Sequence, residues 1–142
     1  AQHCGHIPVV MNSPCHCIDL KTAARKLAAL YDEALVPVGI NISQFSLLRN
    51  IERREAVSLT ELGRAMELDR STMGRNIRVL EKLGLVATGR GDDQRESVVS
   101  LSEHGASVLR EAQPLWEACQ AEVARRLGEQ RLQALQDISQ LL

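Results

Sequence analysis

The sequence predicts a mainly α fold with one small β-hairpin, and three observations carry that prediction. Apolar residues recur at helical spacing through most of the chain after Asp19. Two short β-branched runs, Leu85 to Thr88 and Ser97 to Leu101, flank the polar stretch Gly89 to Glu96, the pattern of a hairpin with a long tip. Capping residues and glycines stand where helices should start and stop. The 142 residues include 17 Lys and Arg against 18 Asp and Glu, and 44% are apolar, which fits one globular domain and speaks against disorder. No apolar run approaches the ~20 residues of a membrane-crossing helix. The stretch Ala1 to His6 shows neither a basic region followed by an apolar core nor a small-residue cleavage site, so a soluble, cytoplasmic protein without a membrane partner is expected. Near-zero net charge confines any nucleic-acid site to a local patch. Three aromatics, Tyr31, Phe45 and Trp116, are too few to stack single-stranded bases in series.

Residues 1–18 hold three of the four cysteines, three of the four histidines and two of the four prolines without periodicity, and read as an N-terminal arm. Met11 offers a translation start, which makes residues 1–10 readable as an upstream extension. From Asp19, a candidate N-cap, Leu20, Ala23, Ala24, Leu27, Leu30, Tyr31 and Leu35 form more than one apolar stripe, as in a helix that packs against two partners, one of them a second subunit. Pro37 and Gly39 end it. Residues 43–54 form a second helix with Phe45, Leu48 and Ile51 on one face. Ser58-Leu59-Thr60-Glu61 is a capping-box sequence for a short third helix burying Leu59, Leu62 and Met66.

The fourth helix runs from about Arg70 to Leu83, capped by Asp69 and stopped by Gly84 in a left-handed turn. Met73, Ile77 and Leu80 define its buried stripe. Ser71, Thr72, Arg75, Asn76 and Val79 share another face, flanked by Arg78 and Lys82. Four bases and one acid, Glu81, lie between Arg70 and Lys82, so the locally unbalanced charge sits here. After the hairpin, Ser102 caps a long helix to about Leu127, with Leu109, Trp116 and Val123 at heptad spacing and Pro114 expected to kink or break it. A last helix carries Leu132, Leu135, Ile138 and Leu142. The resulting division is a lobe at 41–100, with helices 19–40 and 101–142 available for dimerisation.

A short helix, a tight turn, a second helix with a basic polar face and then a polar-tipped hairpin is the order of a winged helix-turn-helix. The second helix of such a lobe buries one side and offers the other to the major groove. Arg75 and Asn76 suit paired hydrogen bonds to guanine and adenine edges. Ser71 and Thr72, beside Arg70 and Arg78, suit phosphates. Taken singly, these residues also fit a solvated helix face; the succession of elements favours double-stranded DNA.

Leu59-Thr60-Glu61-Leu62, Asp69-Arg70-Ser71-Thr72, Leu80-Glu81-Lys82-Leu83-Gly84-Leu85-Val86, Gly91-Asp92-Asp93-Gln94-Arg95 and Leu101-Ser102-Glu103-His104-Gly105 together resemble the MarR family of transcriptional regulators. The resemblance covers roughly residues 19–142. It implies a homodimer with interleaved first and last helices, two lobes reading a pseudo-palindromic operator, and a repressor released by a small aromatic or phenolic effector, by oxidation or by a metal. It also implies that Arg95 enters the minor groove and that Asp93 orients it, with Arg90 at the base of the same wing. An arginine in a narrow minor groove is favoured electrostatically. The wing from Arg90 to Glu96 departs from a basic element, having three acids and two bases.

Cys15-His16-Cys17, with Cys4, His3 and His6 upstream, forms a sulfur and imidazole cluster for which three readings stand. It is a redox switch pairing Cys15 or Cys17 with Cys4 or a partner thiol, a zinc or copper sensor, or an idle arm. The spacing is not that of a zinc finger or ribbon, and no cofactor is required for DNA binding. Cys119 reads as a small core residue and His104 as structural. The readings from other classes are a thiol- or metal-dependent redox enzyme, for which no Cys-x-x-Cys beside a βαβ core, phosphate loop or nucleophile elbow is present, and a helical interaction protein without DNA binding.

Overall fold

A computed structural model of the chain describes residues 15–91 and 96–142. Helix α1, His16–Leu35, starts four residues before the point set by an N-cap at Asp19, with Cys15 at its N-cap and Asp19 in its first turn. Cys15, His16 and Cys17 therefore sit on the helix start, not in a separate arm. A short 3₁₀ turn, Val36–Val38, ends in Gly39 and leads to α2, Ile42–Arg54. A full capping box sets the start of α2: the Asn41 side chain accepts from the Gln44 amide at 2.8 Å, and Gln44 Oε1 accepts from the Asn41 amide at 2.9 Å. The α1 carboxylate of Asp32 also accepts from the Ile42 amide at 2.8 Å, which ties the two helices together.

Strand β1, Ala56–Ser58, precedes α3, Leu59–Met66, and α4, Arg70–Lys82. Strands β2, Val86–Arg90, and β3, Ser97–Leu101, follow, then α5, Glu103–Leu127, and α6, Glu129–Leu141. The sheet is antiparallel in the order β1-β3-β2, with Val57 and Thr88 both opposite Val99. The hairpin is thus three-stranded, and its added strand lies between α2 and α3. At Ser58 one half of the capping box forms: its hydroxyl accepts from the Glu61 amide at 3.0 Å. Pro114 lies within an unbroken α5.

The core is continuous from α1 to α5. Phe45, Leu48 and Ile51 of α2, Leu62 of α3, Met73, Ile77 and Leu80 of α4, and Val99 of β3 are buried together, with Leu35 and Ala112 joining from α1 and α5. At the opposite end of the molecule the apolar residues are not covered. Ile18, Leu20, Leu135, Ile138, Leu141 and Leu142 are exposed, and a groove of about 920 Å³ runs between the start of α1 and α6. No helix among the described residues is long and apolar enough to cross a membrane.

Candidate nucleic-acid interface

The buried stripe of α4 leaves Ser71, Arg75, Arg78 and Lys82 facing solvent on the opposite side, a consequence of the 3.6-residue period. Asp69 secures the start of α4 by accepting from the Thr72 amide at 2.7 Å and from the Ser71 hydroxyl at 3.0 Å. Those bonds, the Thr72 amide first, hold its carboxyl below the usual carboxylate range. Arg75 folds along the exposed face and donates from Nη2 to Thr72 Oγ1 at 3.2 Å, leaving further guanidinium donors directed outward.

The end of α4 is equally defined. Gly84 adopts φ +74°, its amide donates to the Glu81 carbonyl at 2.9 Å, and the Leu85 amide donates to the Leu80 carbonyl at 2.9 Å, a Schellman closure. The chain turns directly into β2. There the Thr88 hydroxyl donates to Glu81 Oε2 at 2.6 Å, a strut between α4 and β2 that the sequence did not suggest. The start of α5 then clasps the same turn: the Ser102 hydroxyl donates to the Gly84 carbonyl at 2.6 Å and accepts from the Gly105 amide at 2.9 Å, while the Ser102 amide donates to the Leu85 carbonyl at 3.1 Å.

The candidate residues do not all share one position. Arg70, Ser71, Arg75 and Arg78 are exposed on α4, and Arg90 is exposed at the end of β2. Thr72 is half-buried. Asn76 is half-buried on the shoulder of α4 and borders a recess of about 240 Å³ with Asn41, Ser43 and Gln44 at the start of α2. Asp93 and Arg95 lie outside the described residues, as do Cys4, His3 and His6.

A match to the MarR family model covers residues 38–96, the segment from the turn before α2 to the edge of β3. The Mycobacterium tuberculosis transcriptional regulator MosR, in a crystal structure with DNA, is 36% identical with a TM-score of 0.80, over 89% of this chain and 92% of that one. The chain belongs to the MarR family. A cysteine mutant of Escherichia coli MarR complexed with operator DNA shares the fold at 20% identity, a TM-score of 0.76, and 99% and 96% coverage. The organic hydroperoxide resistance transcriptional regulator of Bacillus subtilis is 26% identical over 97 residues, 68% of this chain and 66% of that one.

Two further features of this MarR-family chain lie away from α4. Cys15 and Cys17 are free cysteines, exposed at the start of α1, and Cys17 lines the apolar groove with Leu20 and Ile138. Among the described residues no three His, Cys, Asp or Glu side chains gather to hold a metal, so a zinc or copper site at Cys15 to Cys17 needs ligands from elsewhere. Cys119 is half-buried instead of fully packed, and burial pushes its thiol above the ordinary value, which leaves it protonated and a poor nucleophile. Between α2 and α5, the Arg49 guanidinium lies 4.5 Å from the Trp116 ring centre and 5.6 Å from that of Phe45, and the two rings stack at 5.5 Å.

Proposed function

We propose that the protein is a sequence-specific regulator of transcription that binds double-stranded DNA as a homodimer, acts as a repressor in the cytoplasm, and catalyses no reaction. The observation that carries the reading is the basic row of Arg75, Arg78 and Lys82, presented to solvent by a helix whose other side is locked into the core. An arginine on an exposed helix row can reach guanine O6 and N7 in the major groove, while neighbouring cations and hydroxyls meet phosphates. The similarity to MosR, solved with DNA, supports a DNA partner for this chain. Asn76 and Thr72, nearer the α2 side, contact the adjoining base or phosphate. Arg90, with Arg95 and Asp93, belongs to the wing contact in the minor groove.

The uncovered apolar surface supports the dimer. Ile18 is 57% exposed, and Leu20, Leu135 and Ile138 are exposed on the same two helices, an apolar patch of the kind that marks an interaction surface. A second copy laid across the α1 and α6 groove would cover Leu20 and Ile138, which line it, and fix the spacing of the two reading heads.

Selection from a random duplex pool tests the function. The full chain should enrich a two-fold-related site, and Arg75→Ala should lose about 1–3 kcal/mol of discrimination at one base pair per half-site. Unchanged base preference in the variant would remove Arg75 from the reading set.

For release, oxidation is the reading with a specific observation behind it: Cys15 and Cys17 are both exposed beside the dimer groove, and the B. subtilis relative is named for organic hydroperoxide resistance. A hydroperoxide would transfer one oxygen to a thiolate, giving a sulfenic acid and leaving as the alcohol, and a second thiol would condense with the sulfenic acid to a disulfide with loss of water. Cys15→Ser with Cys17→Ser should abolish peroxide-induced release from DNA; release that persists in the double variant places the sensor elsewhere.

A further inference from the structure

Val79 is 48% exposed on α4, whereas Met73, Ile77 and Leu80 of the same helix are buried. Folding supplies no reason for a valine there. A β-branched residue lowers helix propensity, and exposure of about half its surface forfeits about half the gain from burial. Its surroundings are mostly polar: Asn76 on its own helix and Asn41, Ser43 and Gln44 across the recess, with only the buried Leu47 behind them. Val79 nevertheless completes a row. Thr72, Arg75, Asn76 and Val79 stand at i, i+3, i+4 and i+7, the spacing by which one helix face follows the major groove over successive base pairs. Leu83 is also exposed, but it lies at the C-cap, beyond that row.

The major groove offers one apolar group among its donors and acceptors, the C5-methyl of thymine. We propose that Val79 is a specificity-determining residue that recognises a thymine through this methyl, one or two base pairs from the base read by Arg75. The inference rests on the DNA-binding reading above. It makes a chemical distinction that a hydrogen-bonding residue would not: uracil should be rejected although it pairs with adenine like thymine, and 5-methylcytosine should be tolerated better than cytosine at the same position.

The test uses the full chain and the duplex enriched from the random pool. Each thymine is replaced in turn by deoxyuridine, which removes the methyl alone, and affinity is read by fluorescence anisotropy at fixed salt. One replacement per half-site should weaken binding about fourfold, the equivalent of one buried methyl. Val79→Ala, an exposed change to a better helix former, should bind the thymine and uracil duplexes within twofold of each other, while Arg75→Ala keeps the methyl dependence. The inference is overturned if every deoxyuridine duplex binds the parent protein as tightly as the thymine duplex, or if Val79→Ala still discriminates. A pool that enriches no sequence overturns the DNA-binding reading, and this inference with it.

Discussion

Replacing Gly105 by alanine brings the added methyl closer to backbone than the same change at Gly39, Gly63, Gly74, Gly84, Gly89 or Gly128, and should damage the fold. A Cβ built at Gly105 would stand 1.9 Å from the Leu85 carbonyl oxygen, 2.9 Å from its carbon and 3.2 Å from its Cα, all of them backbone atoms. Restoring an ordinary contact of 3.4 Å requires a displacement of about 1.5 Å where α5 crosses the chain between α4 and β2. Leu85 is buried and cannot follow without disturbing the core. The displacement also strains the bonds from Ser102 to the Gly84 and Leu85 carbonyls. Overpacking of this kind costs about 1–3 kcal/mol, each lost hydrogen bond about 1 kcal/mol, and alanine returns up to about 1 kcal/mol of helix propensity. The expected net loss is about 3 kcal/mol. Urea unfolding followed by far-UV circular dichroism, at matched protein concentration because a dimer is expected, should show the midpoint fall by roughly 1–2 M with an unchanged slope. A midpoint within about 0.3 M of the parent would refute the close-approach argument.

Three other outcomes follow from local geometry. Gly74→Ala adds a methyl at an ordinary 3.6 Å from Arg78 Nη1 and should stabilise α4 by about 0.5–1 kcal/mol in the same titration; a loss of that size would mean the helix needs the glycine. The Glu122 carboxyl, held at about 2 by hydrogen bonds first from Arg125 and then from Arg126, is depressed below its ordinary 4.5. Its contribution is therefore complete above about pH 4.5 and is lost as pH falls through about 2, so the gap in melting temperature between the parent and Glu122→Gln should close over that window; a gap independent of pH would contradict the pairing. Arg49→Met removes the cation from the Trp116 and Phe45 rings, costing about 0.5–1 kcal/mol and shifting the emission of the single tryptophan. Identical emission spectra would argue against that contact.

What was legible in the sequence is what is encoded locally. The stripe of Met73, Ile77 and Leu80, the Asp69 cap and the Gly84 stop each depend on residues within a turn or two, and the structure places all of them as the spacing suggests. Strand β1 was not legible, because Ala56-Val57-Ser58 becomes a strand only when β3 pairs with it some forty residues later. The same distance problem hides the Arg49 and Trp116 contact, the Glu81 to Thr88 strut and the approach of Gly105 to Leu85. The α2 capping box is encoded locally, by Asn41 and Gln44 at the spacing of an N-cap and its N3 partner. The start of α1 carries no local signal, because Cys15 makes no side-chain cap bond, whereas Asp19, a good N-cap residue type, lies within the first turn. For Asn76, residue type suggested a reader of adenine, yet only packing shows that it stands on the shoulder toward α2.

The near-zero charge of the chain is reconciled with a DNA partner by where the acids are engaged. Asp69 is bonded to the start of α4, Glu81 to Thr88, and Glu122 to Arg125 and Arg126. No ion pair among the described residues involves Arg75, Arg78 or Lys82. Acidic groups thus build caps and struts, and the cations of the reading helix stay available to phosphates. This arrangement also sets a ceiling on non-specific attraction. In the proposed dimer two copies of α4 would present about eight cations, and assigning Arg75 to bases would leave about six for phosphates, for a slope of log affinity against log salt of roughly −5. A slope steeper than about −7 would exceed what both reading helices can supply and would place further cations, those of the wing first, on the backbone. In the proposed complex, sequence discrimination rests on the few contacts that α4 holds in place, and both of its ends are fastened, by Asp69 at one and by Gly84, Leu85 and Ser102 at the other.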